Sequence, residues 1–165
     1  MEYSMRYASL VVFLFFPFFS FSQSISSINT DDLELKISVK HHVNYPNSGD
    51  AEWWKQEWKG APPLYLARFK HDGNDFLVIY NNNIKVLQEW TIIDEVPSLV
   101  DLHLLGLYSK FKLKLFLKVI DAETKNETFV AVVKVNKSED LVHTYNEAFD
   151  PIDNTIVHGF MELLY

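Results

Sequence analysis

The chain of 165 residues contains no cysteine. That absence excludes disulfide staples, thiol catalysis, iron–sulfur clusters, cysteine-ligated zinc and lipidation on a processed N-terminal cysteine. Glycine is scarce, at five residues, which leaves little room for loops that cradle phosphates. Neither a GxGxxG turn nor a Gly-Lys-Ser/Thr loop occurs, and there is no GxSxG elbow or HExxH helix. Basic residues are outnumbered, 15 Lys and Arg against 22 Asp and Glu, for a formal charge of −7. A surplus of that sign argues against nucleic acid or an anionic membrane surface as the main partner.

Apolar residues are plentiful by contrast, at 48% of the chain with 15% aromatic. That is too hydrophobic for a disordered chain and suits one domain with a packed core. The longest apolar run, Ala8 to Phe21, is short for a membrane helix, which needs about 20 residues, and Pro17 breaks it. Arg6 precedes the run, and Ser20 and Ser22 stand at the −3 and −1 positions of a cleavage site before Gln23. Residues 1–22 therefore read as a secretory signal peptide. Its phenylalanine-rich core ending in Ser-Gln resembles those of secreted proteins of Gram-negative bacteria. The expected destination is the periplasm or the cell exterior, with no membrane span after cleavage. Arg6 and Glu2 cancel, so the mature chain keeps its acidic balance, and an exported domain without disulfides must be held by its core alone.

In the mature chain, residues 23–32 (QSISSINTDD) read as a flexible entry segment and residues 33–165 as a single β-rich domain. Leu33, Leu35, Ile37 and Val39 alternate with polar residues, the period-two pattern of a half-buried strand. Residues 51–59 (AEWWKQEWK) suit a short helix that Asp50 caps and Gly60 ends. Residues 64–71, 76–80 and 84–91 read as strands joined by the tight connections DGND and NNN, hence an antiparallel meander. Residues 99–108 fit either a strand or a short helix that Ser98 caps. In 111–119, Phe111, Leu113, Leu115, Leu117 and Val119 share one face, opposite a row of lysines, and 128–135 returns as its partner. Residues 138–149 suit a helix with Leu141, Tyr145 and Phe149 on one face, and 155–165 a closing strand. No internal repeat is visible. The sum is a mainly β fold, an antiparallel β-sandwich or small β-barrel of seven or eight strands with two short helices.

The densest chemistry is aromatic. Trp53, Trp54 and Trp58 crowd one short polar segment, Tyr45 lies just before it, and Trp90 is a further candidate member. Flat indole faces stack on sugar rings and anchor protein interfaces. Trp53, Trp54, Trp58 and Tyr45 are thus the candidate ligand-binding residues, with Trp53 expected to be the exposed one. His41 and His42 are adjacent, so on a strand they point to opposite faces, and the other histidines lack ligand spacing. The oxygen-rich segments 72–75 and 150–154 are explained by turn chemistry. No metal or cofactor is expected.

These readings converge on a secreted, non-catalytic binding module that contacts an envelope or extracellular protein or glycan through an aromatic surface. Two alternatives remain. The order of strands, helix and final segment resembles lipocalin-like barrels, which implies a carrier of a small apolar ligand. A compact acidic exported domain also suits a small envelope enzyme inhibitor, or a hydrolase built from scattered carboxylates.

Overall fold

The computed structural model describes residues 23–135 and 140–152. Nine strands form one open antiparallel sheet whose spatial order is the order of the chain. They are β1 (Gln23–Ile28), β2 (Glu52–Trp58), β3 (Ala61–His71), β4 (Asn74–Asn81), β5 (Val86–Ile92), β6 (Lys112–Asp121), β7 (Glu127–Lys134), β8 (Asp140–Tyr145) and β9 (Pro151–Ile152). Helix α1 (Leu35–Asn44) joins β1 to β2 and helix α2 (Ser98–Leu107) joins β5 to β6. No helix among the described residues is long and apolar enough to cross a membrane.

The mainly β reading holds, with antiparallel hairpins, but the described residues form one open sheet of nine strands with two helices, and among them neither a sandwich nor a barrel is seen. β1 and β9 are the two edges and do not pair with each other. Nothing among the described residues closes a lipocalin-like barrel. The stretch 23–28, read as a flexible entry, is edge strand β1, paired with β2 from Gln23 opposite Trp58 to Ile28 opposite Trp53.

Three segments exchange type relative to expectation, all for one geometric reason. A spacing of four residues repeats on a helix face and on a strand face alike. In the expected strand 33–40, Leu33, Ile37 and His41 are each four apart. Ile37 and His41 are buried on the inner side of α1 and Leu33, just before the helix, is buried in the same cluster as Ile37, while Leu35, Val39 and Val43 point outward. The expected helix 51–59 is instead β2. Its adjacent Trp53 and Trp54 cover opposite faces of the sheet, which a helix packed by one face would not do. The expected helix 138–149 yields strand β8, on which Leu141 and Tyr145 again share a face, with residues 136–139 outside the described set. The ambiguous 99–108 region is α2. The expected closing strand 155–165 lies outside the described residues.

Two helices on one sheet face define three apolar clusters. Under α1, Ile37 and Leu33 pack on Trp53, Tyr65, Ala67, Phe69, Val78 and Tyr80. Under α2, Val100 and Leu104 pack on Phe116, Phe129, Ala131, Val133 and Tyr145. The third cluster occupies the opposite face, with Leu66, Leu77, Ile79, Trp90, Leu117 and Val130 at its centre. Each fully buried aliphatic side chain contributes about 1.5–3 kcal/mol, so these clusters dominate the stability. A bulge between Leu113 and Leu115 splits the row expected on one face of β6: Phe111 and Leu113 go under α2, and Leu115, Leu117 and Val119 to the opposite cluster. The neighbouring lysines are tied, Lys114 to Asp140 at 2.6 Å and Lys118 to Glu127 at 3.3 Å.

The element order runs twice through a β-α-β-β-β unit, β1-α1-β2-β3-β4 and then β5-α2-β6-β7-β8. The repeat that composition hides is written in the turns. Tyr80-Asn81 ends the last strand of the first unit and Tyr145-Asn146 that of the second. The Asn81 side-chain oxygen accepts from the amides of Asn83 and Lys85, both at 2.9 Å, and that of Asn146 from Ala148 and Asp150, both at 2.9 Å. Each turn then passes through a left-handed residue, Ile84 at φ 63° and Phe149 at φ 62°. The helix ends match too: the amides of Tyr45 and Tyr108 close the last turns of α1 and α2 onto the carbonyls of His41 and Leu104.

Candidate functional site

β2 distributes the candidate aromatic residues between the two faces of the sheet. Trp53 stands opposite Ala67 on β3 and beneath α1, only 4% exposed. Its ring meets the imidazole of His41 edge-on at 5.1 Å and lies 6.0 Å from Tyr80. Tyr45, just past the end of α1, is buried in the same cluster at 5.2 Å from His41 and 4.9 Å from Phe69. Burial, with Glu89 nearby, pushes the Tyr45 phenol well above its ordinary range. Trp53 is therefore not the exposed member of the group: the run of polar neighbours suggested a wet helix, and the strand instead turns this indole under α1.

Trp54 and Trp58 lie on the other face, away from α1 and α2. Trp54 faces Leu66 and Ser27, and Trp58 faces Gln23 and Ala61. Both are half-buried and join the cluster that holds Trp90. Three of the four tryptophans thus share the face opposite α1 and α2, and Trp90, whose place the sequence left open, is among them. Its indole N–H donates to the Gln88 side-chain oxygen at 3.0 Å.

Gln56 sits between Trp54 and Trp58, on the same face, next to the bulge that shifts the β2–β3 register. It is fully buried, and neither its nitrogen nor its oxygen has a hydrogen-bond partner among the described residues. Such a group costs about 1–3 kcal/mol. Packing gives no reason for it, since Leu fills a similar volume with no polar atoms to satisfy. Sequence reading passed over Gln56, although a carboxamide two residues from a tryptophan on either side was its visible signal. Two shallow grooves flank this corner. One, of about 450 Å³, is lined by Ser24, Trp58, Ala61 and Pro63 with Glu57 and Lys59. The other, of about 310 Å³, runs past Leu64, Ile79, Leu87 and Gln88.

Three histidines, His41, His103 and His143, take part in the contacts between the helices and the sheet. His41 shares a hydrogen bond with Tyr80 at 2.8 Å, and burial, helped by His42, lowers its pKa to about 4. His103 on α2 shares one with Tyr145 at 3.1 Å, and Tyr108 one with His143 at 2.8 Å. Burial, then His103, lowers the His143 pKa, and the Tyr145 phenol is pushed up to about 12, chiefly by burial. Among the described residues no three His, Asp or Glu side chains are grouped to hold a metal.

The fold is shared with crystal structures of three Bacteroides proteins. A DUF2874 family protein from Bacteroides uniformis matches with a TM-score of 0.60 and 16% identity, over 73% of this chain and 87% of that one. A BLIP-like protein from Bacteroides fragilis matches at 0.56 and 18%, over 73% and 83%. A candidate periplasmic protein from Bacteroides eggerthii matches at 0.59 and 18%, over 73% and 86%. No protein-family model and no curated protein matches the sequence. At these identities the likeness concerns the fold alone.

Proposed function

We propose that the chain is a non-catalytic protein-binding module of the periplasm or cell exterior, exported by residues 1–22, which grips its partner at the sheet corner around Trp54 and Trp58. The observation that carries this reading is the pair of half-buried tryptophans on one face of β2, with a shallow groove lined by Trp58 beside them. Half-buried tryptophans are favoured anchors of protein interfaces. The BLIP-like neighbour supports a protein rather than a glycan as the partner, and gives an inhibitor-like action specific support. The candidate periplasmic neighbour supports the location.

The test isolates partners from an envelope fraction on the immobilised protein, identifies them, and measures each purified pair by calorimetry. Trp54→Ala and Trp58→Ala are each expected to weaken the specific pair by at least about tenfold, about 1.4 kcal/mol. A partner held equally by both variants counts against this face. An enzyme partner whose turnover falls on binding would identify the inhibitor-like action.

A further inference from the structure

Every large apolar side chain left exposed among the described residues lies on α1 or α2. Leu35, Val39 and Val43 are 76%, 52% and 68% exposed. They follow one another at steps of four, directly opposite the buried Ile37 and His41, so they form the crest of α1. On α2, Leu99, Leu102 and Leu105 are 59%, 65% and 58% exposed, turned away from buried Val100 and Leu104. A helix that is apolar on both its inner and outer sides is usually buried on both. Gly106 lies beside Leu102 on that outer side, with nothing within 4 Å of where a side chain would begin. Glycine inside a helix costs about 1 kcal/mol against alanine, and no contact within the chain calls for one here. It leaves room for a second helix to approach closely.

The two crests differ in charge. α1 carries exposed Lys36, Lys40 and His42, with Lys36 already paired to Glu34 at 2.8 Å. α2 has no Lys or Arg; it carries exposed Asp101 and follows exposed Asp94 and Glu95. Apolar crests of opposite charge, both over the same sheet face, suit a two-fold arrangement in which α1 of each copy meets α2 of the other. Six large apolar side chains, each more than half exposed, lie on the two crests and would be covered together in such an arrangement.

We infer that the protein forms a two-fold dimer through its helical layer, with the α1 crest of one copy against the α2 crest of the other and Lys40 beside the partner's Asp101. The dimer uses the outer sides of α1 and α2 and neither Trp54 nor Trp58, so it stands or falls independently of the binding function proposed above.

The test is sedimentation and light scattering of protein expressed from the full-length chain, over a concentration series. The expected result is a reversible dimer that Val39→Glu and Leu102→Glu each reduce to monomer with an unchanged circular dichroism spectrum, both side chains being exposed. Lys40→Glu and Asp101→Lys are each expected to weaken it roughly five- to tenfold, and the double reversal to restore most of the loss. A monomer at all concentrations, or a dimer indifferent to Val39→Glu and Leu102→Glu, overturns the inference. So does a dimer that the double reversal fails to recover, which breaks the α1-to-α2 pairing. Monomer that instead floats with phosphatidylcholine–phosphatidylglycerol vesicles assigns the crests to a lipid surface and also overturns it.

Discussion

His41 on α1 and Tyr80 on β4 share a buried 2.8 Å hydrogen bond, and His103 on α2 and Tyr145 on β8 share one at 3.1 Å. Tyr80 and Tyr145 hold equivalent places in the two units, each followed by the same asparagine turn. The histidines do not: His41 matches Leu104 in register with the helix end, and His103 reaches the second tyrosine from the neighbouring position. Both helices are thus latched to the last strand of their own unit by an imidazole and a phenol, reached along different paths.

Acid is expected to weaken the first latch. An unfolded histidine takes up its proton near 6.5, whereas folded His41 does so only near 4, because burial disfavours the charged ring. Between those values the unfolded chain binds more protons. Stability therefore rises with pH in that window and is lost as pH falls from about 6.5 to about 4, by at most about 3 kcal/mol from this group. Urea unfolding across that range checks it. The His41→Gln protein, with no proton to take up there, should show a correspondingly flatter profile, and an unaltered profile would exclude His41 as the source.

The two faces of β2 predict opposite phenotypes for adjacent tryptophans. Trp53→Ala removes an indole packed beneath α1 and should destabilise the fold by about 3–5 kcal/mol. Trp58→Ala, at the half-buried end of the strand, should cost about 1 kcal/mol or less while weakening partner binding. Denaturant midpoints separate them; similar losses at both positions would contradict the burial difference.

Gln56→Leu should leave the fold as stable as before or raise its stability by about 1 kcal/mol, since it removes two unpaired polar atoms without changing volume much. Denaturant unfolding of the two proteins measures the difference. A substantial loss of stability would show that the carboxamide serves the fold.

Lys125 occupies the left-handed region at φ 62° in the exposed β6–β7 turn. A side chain there costs about 1 kcal/mol that glycine does not incur. Lys125→Gly should raise the melting temperature slightly after the entropy that glycine adds to the unfolded chain is deducted. Thermal unfolding checks it, and a clear drop would mean that the turn gains more from the lysine than its backbone loses.

Where local chemistry and local periodicity agree, the sequence was readable. The meander through β3, β4 and β5 follows from β-branched and aromatic runs bounded by DGND and NNN. The β6–β7 hairpin follows from alternating residues on both sides of a polar turn. Trp54 and Trp58 were legible as a pair on one face because a spacing of four aligns them on a helix and on a strand. Gln56 was not, because an unpaired buried carboxamide is defined by what surrounds it. The double unit was not either, since its halves share Tyr-Asn turns and little else.

The sequence by itself determined that this chain is cysteine-free, acidic and mainly β, with an aromatic concentration at 53–58. Those properties follow from composition and short-range pattern, which act wherever the chain goes. Only the tertiary structure decided that 35–44 is helix, that 52–58 and 140–145 are strand, and that Trp53 and Trp54 part company across the sheet. Apolar residues two and four apart satisfy either geometry locally. The choice falls to whichever arrangement lets both sheet faces bury their side chains: a helix over each half of one face, and the tryptophan-bearing strand exposed to both.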